Sequence, residues 1–204
     1  MTVGWEAALP AALLVSCVAS FGWGVRNFFT RPVGLTARMK WISGLSGTFG
    51  IVHLFAILFS SSLTKERSVA GSALYLCSAG LFWWAVRTSV GKPLSAAFSP
   101  DVPLHLVCNG PYRFMRHPLY TSYLLTWVAG WVVTAQWWLL PTVLTMLGIY
   151  FAASSAEEEK FLSSPLVRDY QRYRLRTGRF LPNTMKLVAG LTGQVEARTS
   201  EPRA

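Results

Sequence analysis

The sequence predicts an all-α integral membrane protein of about five transmembrane helices, with a cytoplasmic amphipathic helix near its C-terminus. Three observations predict it. The 204 residues are 52% hydrophobic and only 14% charged, whereas a soluble domain carries about 25% charge. The deficit is concentrated in four runs without Asp, Glu, Lys or Arg: 7–25, 41–64, 68–86 and 117–156. Finally, nearly all the basic residues fall on alternate connections between those runs.

A helix needs roughly 20 predominantly apolar residues to cross a bilayer, so each of the first three runs makes one span. The segment 7–25 follows Glu6 and has no basic stretch before it, so it reads as a first span and not as a cleaved signal. In the second span, 41–64, lies His53. An ionisable residue at that depth is a functional candidate, but a neutral histidine bonded to a neighbouring helix is the simpler reading. The third span, 68–86, ends at Arg87, whose long side chain can reach the interface. The run 117–156 is about two spans long and is expected to turn at Gln136, Trp137, Trp138 and Pro141, which are polar, interfacial or helix-restricting.

Lys and Arg favour the cytoplasmic side. With the N-terminus outside, Arg26, Arg31, Arg38 and Lys40 of the first connection lie inside, as do Arg87, Lys92, Arg113 and Arg116 of the third. The C-terminal segment joins them, and only Lys65 and Arg67 of the 19 basic residues lie outside. The formal charge of +10 is thereby explained by topology and anionic headgroups, without nucleic acid. Cys17, Cys77 and Cys108 are too few and too scattered for a disulfide framework or a metal site.

The polar groups gather in two places. In 104–120, LHLVCNGPYRFMRHPLY, Gly110–Pro111 marks a turn and Pro118 suits the first turn of the fourth span. The unpaired N–H groups of that helix start, beside Arg113, Arg116 and His117, would form an anion site. The competing reading makes the arginines topological anchors, and Tyr112 and Tyr120 part of an interfacial belt. In 157–182, three acids, Glu157, Glu158 and Glu159, follow the fifth span directly. Ser164 and Pro165 then look like the N-cap and first turn of a new helix. It would carry Leu166, Val167, Tyr170 and Tyr173 on one face and Arg168, Arg172 and Arg176 on another. The domain so defined covers 1–186, and 187–204 reads as a flexible tail.

The order GPYxxxRHPxY, hydrophobic hairpin, EE, YxxYxxR and a terminal RxxP resembles the isoprenylcysteine carboxyl methyltransferase family, to which membrane enzymes that methylate phosphatidylethanolamine are related. The matching residues are Gly110, Pro111, Tyr112, Arg116, His117, Pro118, Tyr120, Glu158, Glu159, Tyr170, Tyr173, Arg176, Arg179 and Pro182. The resemblance covers about 100–182, and the first three spans only by hydropathy. It implies an S-adenosylmethionine enzyme with its cofactor at the cytoplasmic end of the bundle. The pocket would be lined by His105, Leu106, Val107, Tyr112, His117, Pro118, Leu119, Tyr120 and Glu158. Glu158 suits the cofactor's amine or ribose hydroxyls, and Tyr112 or Tyr120 its sulfonium.

One position departs from the pattern. Carboxyl-methylating members place an arginine four residues before the matched acid, and here that position is Ser154. The acceptor is therefore open: a lipidic hydroxyl, phenol, thiol or amine, or an isoprenylcysteine carboxylate. Glu159 or Glu157 could take a proton from a neutral acceptor, and Arg172 or Arg176 could replace the missing arginine at the substrate. Two other classes compete. One is an NADPH-dependent reductase of the sterol or steroid type, against which stands the lack of a glycine-rich phosphate fingerprint. The other is a non-enzymatic membrane scaffold, which has little use for three acids at 157–159.

Overall fold

A computed structural model describes residues 4–27, 36–91 and 102–183. Among them it forms six helices: α1 Trp5–Asn27, α2 Ala37–Phe59, α3 Lys65–Thr88, α4 Pro118–Thr134, α5 Leu140–Leu162 and α6 Val167–Arg176. Four segments are long and apolar enough to cross a membrane: α1, α2, α3 and Trp137–Leu162, which contains α5. The expected fourth span, α4, has 17 residues, about 26 Å of rise, and falls just short of that length. Arg31, Lys92, Asp101 and the tail 187–204 lie outside the described residues.

α4 nevertheless runs the height of the bundle, antiparallel to α3. At one end Gly110 packs on Thr88, with φ of +56° and no room for a Cβ, so the chain can enter α4 close beside the end of α3. Further along, Phe82 meets Tyr123 at 6.2 Å, and the Ser78 hydroxyl bonds the Ser122 carbonyl and Thr126 Oγ1. Gly71 then leaves space for Val133. At the far end Ser62 donates to the Thr134 carbonyl at 2.8 Å. Small residues at this interface let the backbones approach closely, which drives helix association where lipid gives no hydrophobic advantage.

The other helices alternate in direction around this pair. α1 lies parallel to α3: Ser68 bonds the Glu6 carbonyl, Cys17 contacts the Tyr75 carbonyl and Gly24 receives the Phe82 ring. α2 reaches α4 and α5 through Phe49, His53, Trp127 and Thr142. Between α4 and α5 the chain turns at Ala135, in the left-handed region at φ 50°, followed by a 3-10 turn at Trp137–Leu139. Pro141 stands in the first turn of α5, where its missing N–H costs no bond.

α6 starts later than expected. Ser164 Oγ accepts from the Leu166 N–H at 3.1 Å and donates to the Phe161 carbonyl, so Ser164 and Pro165 form a turn ahead of the helix and do not cap it. Its faces are as the pattern predicts. Tyr170 is buried, while Arg168, Arg172 and Arg176 are exposed. Tyr173 donates to the Tyr112 carbonyl at 2.7 Å, which ties α6 across the end of the bundle.

Candidate active site

The end of the bundle closed by α6 holds a network of charges built from three segments. The first is the turn Gly110–Arg113 and the stretch leading to Pro118, which sets Arg116 and His117 at the start of α4. The second is the last turn of α5. A step of four residues along its buried side runs Thr142, Met146, Tyr150, Ser154, Glu158, so helical periodicity carries the inward face directly onto one acid. The third is the strap 177–180 after α6. It lies against the start of α4 in a short parallel pairing of Met115 with Gly178. Arg116 N–H donates to the Gly178 carbonyl at 2.8 Å, His117 N–H to the Arg179 carbonyl at 3.0 Å, and Thr121 Oγ1 to the Phe180 carbonyl at 2.7 Å. A Cβ on Gly178 would collide with the Leu181 carbonyl, so the strap turns here only with glycine.

Glu158 is the centre, 4% exposed. Its Oε1 accepts from Arg116 Nε at 3.0 Å and from His117 Nε2 at 3.2 Å. Its Oε2 accepts from Arg179 Nη2 at 3.0 Å, with Arg174 Nε at 3.9 Å. A buried carboxylate is costly unless it is paired and hydrogen-bonded, and here both oxygens are engaged. Arg116 also reaches the carbonyls of Thr177 and Arg174, and Arg179 bonds Ser155 Oγ while lying 4.5 Å over the Phe151 ring.

His117 bridges two carboxylates. Its Nε2 faces Glu158, and its Nδ1 lies 3.3 Å from Glu157 Oε2. An imidazole donates at both nitrogens only when protonated. Burial alone would lower the His117 pKa, but the hydrogen bonds and charges of Glu157 and Glu158 outweigh it and hold the pKa above its usual value. Glu157 is half-buried and also accepts from the Tyr120 hydroxyl at 2.7 Å. The Tyr120 ring stacks on Tyr150 at 5.5 Å, and Tyr123 packs against both, so an aromatic wall descends from Glu157 into the bundle.

The residues singled out in the sequence divide accordingly. His117, Tyr120, Glu157 and Glu158 come together, and Pro118 and Leu119 are buried beneath them. Tyr112 is buried next to them, its hydroxyl taken by Ser89 and its pKa raised by burial. Val107 is in the core beside Tyr112, Leu106 is half-buried and His105 is exposed. Glu159 is exposed and takes no part in the network. Ser154 is fully buried, its hydroxyl turned back to the Phe151 carbonyl at 2.9 Å. Arg172 and Arg176 point outward, Arg172 beside Asp169 at 3.9 Å. Two of the N–H groups near the start of α4, expected to be open to an anion, are occupied by strap carbonyls. Arg174 is the network residue that the sequence pattern did not single out; Arg116 was expected at the anion site, and Arg116 and Arg179 in the family pattern, but neither as a partner of Glu158.

A concavity of about 450 Å³, lined by Phe55, Phe59, Ser60, Gln136 and Trp138 among others, opens at the opposite end of the bundle, away from these charges.

No curated protein matches the chain significantly. The family model described as phospholipid methyltransferase matches residues 67–166, from the first turn of α3 through α4 and α5 to the turn before α6. That stretch contains Arg116, His117, Tyr120, Glu157 and Glu158 and stops short of Tyr170 and Arg179. Over α3, α4 and α5, just under half of its length, the chain is thus similar to the phospholipid methyltransferase family, and its long apolar helices suit a membrane protein of that kind.

Proposed function

We propose that this protein transfers a methyl group from S-adenosylmethionine to a lipidic acceptor that enters the bundle sideways from the bilayer, and that the acceptor is neutral at the reacting atom. The observation that carries this reading is the buried network of Glu158, His117, Arg116 and Arg179, with Glu157 beside it at the head of an aromatic wall. Its donor set fits the cofactor's polar parts: carboxylate oxygens for an amine or ribose hydroxyls, guanidinium and imidazolium groups for a carboxylate. When bound, S-adenosylmethionine supplies a methyl group on a cationic sulfonium, which becomes a neutral thioether as the methyl leaves.

The chain's own groups then have separate roles. Arg116 and Arg179 hold Glu158 in one orientation. The faces of Tyr120 and Tyr150 offer a π surface to a cation. α6, anchored by Tyr173, excludes water from the site, and most of the rate gain comes from positioning. Glu157, the less buried acid, accepts the proton released by an amine, hydroxyl or thiol acceptor. Ser154 stands where a carboxylate substrate would need a cation, and its hydroxyl is already tied to its own helix. The network end faces the cytoplasm in this reading and the N-terminus lies outside, because the excess of Lys and Arg is on the network side.

Titration of the full chain in detergent with S-adenosylhomocysteine and with NADPH tests the cofactor. Binding of the first and not the second is expected, and the reverse would replace methyl transfer by reduction. Labelled S-adenosylmethionine then tests the acceptor, with amine or hydroxyl amphiphiles set against a farnesylated cysteine of equal tail length. Wild type should prefer the neutral head groups, and Ser154→Arg should shift the ratio towards the carboxylate. A wild-type preference for the farnesylcysteine carboxylate would refute the neutral acceptor.

A further inference from the structure

Tyr170 is the one residue of α6 that is fully buried, at 2% exposure. Its ring lies flat on Phe161, 4.8 Å between centroids and 10° between planes, which accounts for its apolar part. The hydroxyl is not accounted for: it is buried and has no hydrogen-bond partner among the described residues. A buried hydroxyl left unpaired is unfavourable compared with the phenylalanine that would fill the same space. The helix does not need it for docking, because Tyr173 on the same helix already bonds the Tyr112 carbonyl.

The surroundings say what would satisfy it. The charged groups that act on Tyr170 are Glu158, Arg116, Arg174 and Arg179. Burial, followed by the Glu158 charge, pushes its phenol pKa up, so the oxygen keeps its proton and acts as a donor. The three guanidiniums of Arg116, Arg174 and Arg179 stand against two carboxylates, Glu157 and Glu158, which His117 bridges. A donor without an acceptor, within an excess of cations, is complementary to an anion.

We infer that Tyr170 is a further cofactor-binding residue, whose hydroxyl donates to the carboxylate of the cofactor's amino-acid arm. This rests on the S-adenosylmethionine reading above and extends it to a residue outside the span matched by the family model. The helix that covers the site thereby also contributes to binding, and closure by α6 is coupled to cofactor loading.

Calorimetry on the full chain in detergent tests it, with two probes: S-adenosylhomocysteine and its decarboxylated analogue, which keeps the amine and lacks only the carboxylate. Tyr170→Phe should bind S-adenosylhomocysteine roughly tenfold to hundredfold more weakly than wild type, as expected for one hydrogen bond to a charged group. Both proteins should bind the decarboxylated analogue equally. Without ligand, Tyr170→Phe should unfold at the same temperature as wild type or higher, because only an unpaired oxygen is removed. If wild type binds S-adenosylhomocysteine and Tyr170→Phe binds it equally well, or loses equally on both probes, the assignment of Tyr170 is wrong while the cofactor reading stands. A lowered melting temperature without ligand would show a structural partner for the hydroxyl and also overturn it. If wild type binds neither probe, the cofactor reading falls and this inference with it.

Discussion

His53 and His117 are both buried in the same bundle, at 0% and 8% exposure, yet their surroundings have opposite character. His53 lies within α2. Thr142 donates its own hydroxyl proton to the Leu139 carbonyl at 2.7 Å, so its oxygen accepts from His53 Nε2 at 2.8 Å. That leaves Nδ1 as the lone-pair nitrogen, packed at Gly130 close to the Tyr75 hydroxyl, with Trp127 across the ring. Every one of these neighbours is uncharged. His117, at the entrance of α4, has a carboxylate at each ring nitrogen and a guanidinium beside it. One histidine joins helices as a neutral group. The other is held between two acids that favour its charged form, in the part of the molecule where a charged ligand can be read. What separates them is not burial, which is nearly equal, but whether the helix end brings partners of opposite charge.

The sharpest way to break this comparison is to remove one acceptor from each region. Glu158→Ala leaves Arg116, His117 and Arg179 without their common partner. Uncovering a buried ion in this way costs about 3–5 kcal/mol, and the lower end is expected because Arg174 and Arg179 keep access to water. Thr142→Val, which leaves only the neutral His53 N–H unpaired, should cost about 1–3 kcal/mol. Thermal unfolding of both variants in one detergent makes the comparison. Equal losses would mean that the charged network is no more than helix packing, and S-adenosylhomocysteine binding should vanish in Glu158→Ala alone.

A smaller effect separates the histidines by pH. The folded-state pKa of His117 is raised above the unfolded value near 6.5. Its contribution is therefore fully present below about pH 6.5 and is lost as pH rises through the higher folded pKa. Wild-type melting temperature should decline across that interval, and the slope attributable to this group should disappear in His117→Asn. A variant with the wild-type slope would place the titration elsewhere.

Much of this architecture can be read from hydropathy, with errors that have local causes. The run 41–64 became a helix at 37–59, because Thr36 caps the start and accepts from the Met39 N–H, while Ser60–Ser62 pair with one another and with the end of α4. A stretch without charge is not always a helix. α4 was recognisable as half of a long apolar run, but not its shortness, which depends on the turn at Ala135. At the site, three successive acids point in three directions around a helix, roughly 100° apart. The step of four from Tyr150 through Ser154 marks Glu158 as the inward one, a signal present in the sequence that leaves Glu159 outside. Arg179 was not legible as a ligand of Glu158, since its position depends on the pairing of 177–180 with 115–121, between segments about 60 residues apart.

The smallest expected effect concerns Arg172. It shares α6 with Tyr170, but its side chain is 75% exposed and its carboxylate neighbour, Asp169, lies 3.9 Å away on the same helix and is also exposed. Solvent screens such a pair, and exposed pairs contribute about 0–1 kcal/mol. The arginines of the network differ from Arg172 in geometry and not in type: Arg116 and Arg179 each meet the buried Glu158 at 3.0 Å within the fold. Arg172→Gln should therefore keep the wild-type melting temperature and the wild-type affinity for S-adenosylhomocysteine. Turnover of a neutral amphiphile should also be unchanged, because a head group without charge at the reacting atom has no use for a guanidinium brought in from outside. Melting, calorimetry and the labelled-methyl assay on this one variant decide the matter. A clear loss of turnover with intact cofactor binding would mean that Arg172 swings inward when the acceptor arrives, supplying the cation that Ser154 does not, and the neutral-acceptor reading would have to give way to a carboxylate.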